Sequence, residues 1–139
     1  FSGRFTNFSG IQSRPLPLQR PHPPIHVGGM SAAAHRRAIA RGNGWYGFFQ
    51  DLAATEAALS SLEEAAQETE RPTELGTLEI SITPPGPVDA DTVKRFEDLG
   101  VHRLILMRGM GDMVGNSGAS ARDDVFSFIE STGRDFKLG

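Results

Sequence analysis

Four residues are the first candidates for chemistry. Gly28, Gly29, Met30 and Ser31 separate a β-type run, Ile25-His26-Val27, from a helix predicted over Ala32–Arg41. Glycines at the carboxyl end of a parallel strand let a ligand approach the backbone closely. The free N–H groups and positive dipole end of the following helix suit a phosphate. Ser31 can cap that helix and offer a hydroxyl as well. A tight βα turn that needs only small residues explains the same pattern without a ligand. A second glycine series, Gly109, Gly111 and Gly115, follows the apolar run 104–107. It is one residue too long for a dinucleotide fingerprint, and no acidic residue stands at the expected distance. A surface loop able to close over a ligand is the expectation there, with a nucleotide-holding loop in a small open α/β module as the lesser reading.

Other reactive types form no recognisable set. His22 and His26 are separated by Pro23-Pro24, so helical ligand spacing does not apply. No Gly-x-Ser-x-Gly elbow is present, and no Ser, His and acid stand in a familiar order. The 139 residues contain no cysteine, which excludes disulfides, thiol catalysis and Cys-ligated metals. That composition fits a reducing compartment, and a cytoplasmic location is expected. With 14 basic and 17 acidic side chains the net charge is −3, giving no general pull towards nucleic acid or anionic lipid. No apolar run approaches the roughly 18 residues a membrane span needs. Trp45 and Tyr46 can line a ring-binding pocket, although core packing is the commoner fate of such aromatics. Arg36 and Arg37 read as helix surface.

The elements that must position these residues alternate regularly. Residues 1–24 hold five prolines and read as a Pro-rich arm, with Ile11, Leu16 and Leu18 placed to pack on the chain's own domain. Residues 25–139 then repeat strand and helix four times. After the first unit come an aromatic strand at 45–49 and a long helix at about 52–69 capped by Asp51. Leu52, Leu59, Leu62 and Ala66 form that helix's apolar stripe. Leu78, Ile80 and Ile82 alternate as a half-buried strand, and Asp89 or Asp91 caps a helix carrying Val93, Phe96 and Leu99. Residues 104–107 read as a strand covered on both faces, and a last helix is predicted around 123–132. Such alternation predicts an α/β fold with a parallel sheet. Four βα units make a small open sheet or half of an eight-fold barrel, and periodicity does not choose between them.

A succession of residues narrows that choice. Phe1-x-Gly3-Arg4 with Phe8, Arg14-Pro15-x-Pro17-x-Gln19-x-Pro21, Pro23-Pro24-Ile25-His26-Val27-Gly28-Gly29, Arg36-Arg37-Ala38 and Gly42-Asn43-Gly44-Trp45 follow in order. So does Gly100-Val101-His102-Arg103-Leu104-Ile105-Leu106-Met107. Over about residues 1–108 the chain resembles the bacterial luciferase-like monooxygenase family, particularly its deazaflavin-dependent oxidoreductase branch. The resemblance implies the C-terminal half of a TIM-type (β/α)8 barrel. It implies a reduced flavin, FMN, or a deazaflavin coenzyme, with the cofactor phosphate held at Gly28, Gly29, Met30 and Ser31. Hydride transfer or monooxygenation of a small organic substrate follows as the expected activity.

Two departures carry meaning. Asn43 stands where the family usually has Asp. The chain also opens Phe1-Ser2-Gly3-Arg4 without an initiator Met, so a sequence truncated at its N-terminus is expected, with the family's catalytic groups outside it. No catalytic residue is assigned. The other reading is a non-catalytic half-barrel that binds a flavin or a protein partner, possible as a homodimer because an open sheet has two free edges.

Overall fold

The computed structural model describes residues 1–12, 14–108 and 119–136. Its centre is a four-stranded parallel sheet in the order β1-β2-β3-β4. The strands are β1 (His26–Gly28), β2 (Gly44–Phe48), β3 (Glu79–Thr83) and β4 (Arg103–Leu104). Helices α1 (Ala32–Arg41), α2 (Leu52–Glu68) and α3 (Ala90–Asp98) connect them, and α4 (Ala119–Asp135) follows β4. Sequential parallel pairing with a helix after each strand is the arrangement of half a (β/α)8 barrel.

Register sorts the side chains onto two faces. Val27, Trp45 and Ile80 are aligned across β1, β2 and β3, and Ile82 is aligned with Leu104. These five join Ala38 and Ile39 of α1, Ala58, Leu62 and Ala65 of α2, and Phe96 of α3 in one core. The opposite face carries Tyr46, Glu79, Ser81, Thr83 and Arg103, by the alternation of a pleated strand. Strand β3 is therefore more deeply buried than a simple alternation predicts, because Ser81 and Thr83 are buried too. Their hydroxyls are satisfied: Thr83 shares a 2.7 Å hydrogen bond with the Tyr46 hydroxyl, and Ser81 Oγ donates to Glu79 at 3.3 Å. Glu79 in turn meets Arg103 at 2.9 Å.

Side-chain size decides the helix seam. The buried stripe of α2 is Thr55, Ala58, Leu62 and Ala65, whereas Ala66 is exposed and Leu52 and Leu59 are only half-buried. Small residues face α1, whose own buried positions include Ala34 and Ala38. The two helices can then lie close together, with Leu62 kept in the stripe and Leu52 and Leu59 on the flank.

Strand β4 is shorter than the apolar run suggested. Its pairing with β3 ends when Ile105 N donates to Ile82 O at 2.8 Å. Beyond Thr83 the partner strand runs into Pro84-Pro85, which has no N–H to continue the ladder. The arm also departs from expectation. The described residues of 1–24 form no strand of the sheet, and their local contacts include an isolated bridge between Ser2 and Asn7 and a stacked Phe1–Phe8 pair at 5.3 Å. Ile11, Leu16 and Leu18 are exposed rather than packed on the domain. Prolines at five positions leave this segment too few donors to join the sheet.

Arg71 closes the end of the α1–α2 layer. Its guanidinium donates to the carbonyls of Ile39 at 2.9 Å, Gly42 at 3.0 Å, Leu75 at 3.1 Å and Gly76 at 2.7 Å. Carbonyls at the end of α1 lack intrahelical partners, so one planar cation satisfies them and fixes the chain entering β3. Arg71→Ala is expected to lower the unfolding free energy by about 2–3 kcal/mol in urea titration, with little recovery in Arg71→Lys.

Candidate functional site

The junction of β1 and α1 gathers all four residues singled out by the sequence. Gly28 is exposed, and a side chain there would meet nothing nearer than Tyr46 O at 3.9 Å. Gly29 has φ of +111°, a conformation that disfavours other residues, and a Cβ there would also press on Ala34 at 3.2 Å. Met30 is exposed. Ser31 is the N-cap of α1, and its Oγ accepts from Ala34 N at 3.2 Å. The Ser31 hydroxyl proton remains available to donate outward. The N–H groups of Ala32 and Ala33 precede the first intrahelical bonds.

The loop is tied to the core from beneath. Trp45, fully buried, donates its indole N–H to Gly29 O at 2.9 Å. The same ring sits where a side chain at position 47 would go: a Cβ on Gly47 would lie 2.7 Å from the Trp45 ring and 2.8 Å from Ile82. Trp45 is thus a core residue, and its polar edge holds the loop in place. Tyr46 takes the opposite face, so the two adjacent aromatics do not share a pocket.

Electrostatics distinguish this helix start from its neighbours. Asp51 caps α2 through Ala54 N and Asp89 caps α3 through Thr92 N, each at 2.8 Å. The Thr92 contact holds the Asp89 carboxyl below its usual range, so it stays ionised. The first turn of α1 contains no acidic residue, and its cap is the neutral Ser31. An anionic group meets donors and a positive helix end here, without an opposing carboxylate. A phosphate group therefore fits the residues present.

Asn43 lies at the other end of the strands. Its Oδ1 accepts from Ile25 N at 2.9 Å, its N–H donates to Ile25 O at 2.8 Å, and its carbonyl accepts from Glu79 N at 3.0 Å. A carboxylate oxygen can accept the Ile25 bond equally well. The departure from Asp thus falls on a strand clip at the amino ends, away from Ser31. Arg36 and Arg37 are exposed, and Arg36 faces Glu68 at 3.9 Å. Gly109, Gly111 and Gly115 lie outside the described residues. Among the described residues no three His, Asp or Glu side chains cluster as a metal site, and no helix is long and apolar enough to cross a membrane.

Two further residues take places that residue type alone does not fix. His35 is buried on α1, with Nδ1 2.9 Å from Ser61 Oγ and its ring edge-on to Trp45 at 5.5 Å. Phe49, just past β2, has φ of +57°. Nothing in the residue type announces a left-handed Phe, whereas the sequence predicts a structural or surface role for His35, and its burial makes that role structural.

The sequence model of one family, described as luciferase-like monooxygenase, matches residues 1–111. That span takes in the arm, the sheet and both ends of its strands.

Burial holds the His35 pKa below its ordinary 6.5, because the charged ring would lose its water. The unfolded chain therefore binds a proton that the folded chain resists. Stability is complete above about pH 6.5 and falls as pH drops below it. Urea unfolding across that range is expected to show the decline, and His35→Leu to flatten its slope.

Proposed function

Because the chain belongs to the luciferase-like monooxygenase family, we propose that it forms the cofactor-anchoring half of a flavin- or deazaflavin-dependent oxidoreductase. The neutral, donor-rich start of α1 carries this reading, since it differs from the Asp-capped α2 and α3, which also start after the carboxyl ends of their strands. In the proposal Gly28 and Gly29 give the phosphate room, the Ser31 hydroxyl and the N–H groups of Ala32 and Ala33 donate to it, and Met30 borders it. Trp45 positions Gly29 and so sets where those donors point.

The bound coenzyme ring would supply hydride transfer or oxygen chemistry to a small organic substrate. This chain's own contribution is binding and orientation: backbone donors fixed by a packed core cost little reorganisation when the anion arrives. Half of a (β/α)8 barrel is the proposed placement, and a cytoplasmic setting accompanies it.

Fluorescence titration with FMN and with the deazaflavin coenzyme tests the site. Ser31→Asp keeps a good helix cap but places a carboxylate against the phosphate, so affinity is expected to fall roughly tenfold or more while thermal stability holds. Equal affinity in wild type and Ser31→Asp removes the phosphate from this junction. Asn43→Asp is expected to leave binding unchanged.

One observation favours a second reading. β1 and β4 each have a single neighbour in the described sheet, leaving two pairing edges. A non-catalytic half-barrel would pair those edges with a second copy. Sedimentation of a stable dimer lacking coenzyme affinity would support it, and a monomer would remove it.

A further inference from the structure

We propose that the cavity at the carboxyl ends of β2, β3 and β4 is a binding site for an uncharged, ring-bearing organic molecule, with Phe49 in its wall. The role of that molecule as substrate rests on the oxidoreductase reading above, but its binding does not. The cavity holds about 450 Å³ and lies between residue 49, residues 84–88, residues 106–108 and the second half of α4. That volume is within the roughly 300–1,000 Å³ of small-molecule sites. Carboxyl ends of parallel strands are also where such folds keep their ligands.

Chemistry of the wall selects the ligand class. Most of it is apolar, with Phe49, Leu106, Met107, Phe128 and Phe136 around a run of prolines. Arg108 is its cation, but Asp124 lies 3.7 Å from that guanidinium and Asp135 stands on the same wall. A formal charge of either sign on the ligand would be costly to desolvate against such a wall, and a negative one would also meet an arginine already paired with Asp124 and a further carboxylate, Asp135. A neutral polar group is better served. Arg108 can donate to it, and Ser131, whose hydroxyl donates to Phe128 O at 3.0 Å, keeps lone pairs to accept from it.

Phe49 supplies an independent pointer. Its φ of +57° is unfavourable for a bulky residue that glycine or asparagine would relieve. The chain on either side enforces it: Gln50 N donates to Thr83 O at 3.0 Å and Gln50 Nε2 to Phe48 O at 2.8 Å. Phe49 does not earn its place by core packing, for it is 39% exposed and its near ring neighbour is the exposed Phe48 at 4.6 Å. An aromatic ring held in a strained backbone at a cavity wall is accounted for by a contact with what enters the cavity.

Calorimetric titration of the 139-residue chain with naphthol and with naphthoate, both without coenzyme, tests the proposal. Naphthol is expected to bind, with naphthoate weaker by roughly tenfold. Phe49→Gly relaxes the backbone while removing the ring, and Thr132→Phe fills the cavity from α4. Each variant is expected to weaken naphthol roughly tenfold. Absence of naphthol binding, affinity unchanged in both variants, or tighter binding of naphthoate overturns the proposal. Because coenzyme is omitted, its failure and the failure of the phosphate site read out separately.

Discussion

The hydrogen bond from the Trp45 indole to Gly29 O joins two requirements that proteins usually meet separately. The indole is the largest fully buried side chain and occupies the middle of the sheet–helix core. Its N–H must find a partner there, since an orphaned donor would be expensive. The partner is the carbonyl of a glycine whose φ of +111° turns the chain towards α1. Satisfying the core therefore fixes the loop. Gly47 belongs to the same constraint, because any side chain there would displace the indole. His35 adds an edge-on contact from α1, so the helix that follows this loop also braces the ring that holds it.

The two ends of the sheet are organised for different tasks. At the amino ends, Asn43 ties Ile25 to the start of β3, Arg71 collects the last carbonyls of α1, and His102 accepts from Ile80 N at 3.1 Å. These groups spend their polarity on the backbone. At the carboxyl ends, donors and rings are left facing outward: the Ser31 hydroxyl, the first N–H groups of α1, Phe48 and Phe49. Such a division matches the general rule for (β/α)8 barrels, with stability on one face and ligands on the other.

Local chemistry was well written in the sequence where one residue does one job. Ser31, Asp51 and Asp89 are caps because short oxygen-bearing side chains reach a nearby N–H, which spacing reveals for Ser31 and Asp51 and narrows to Asp89 or Asp91 for α3. Gly100 ends α3 with φ of +86° for an equally local reason. Features that depend on a neighbour were hidden. The buried stripe of α2 follows the small residues that α1 can approach, so Thr55 and Ala65 displace Leu59 and Ala66. Strand β4 stops where β3 meets prolines twenty residues earlier in the chain, which its own apolar run does not announce. The left-handed backbone of Phe49 depends on Gln50 reaching Thr83 across the sheet. The β1–α1 junction was legible in position, but its distinction from the other helix starts emerges only when three caps are seen side by side.

Trp45 is also the chain's single tryptophan. Its ultraviolet emission consequently comes from one environment, that of a dry ring whose only polar atom is engaged by Gly29. A shift of the peak to longer wavelength reports water reaching the core. A change of intensity at constant wavelength reports the carbonyl of Gly29 moving against a core that stays shut. The molecule thus carries a built-in optical gauge of its own loop, in which melting shifts the colour and loop movement changes only the brightness.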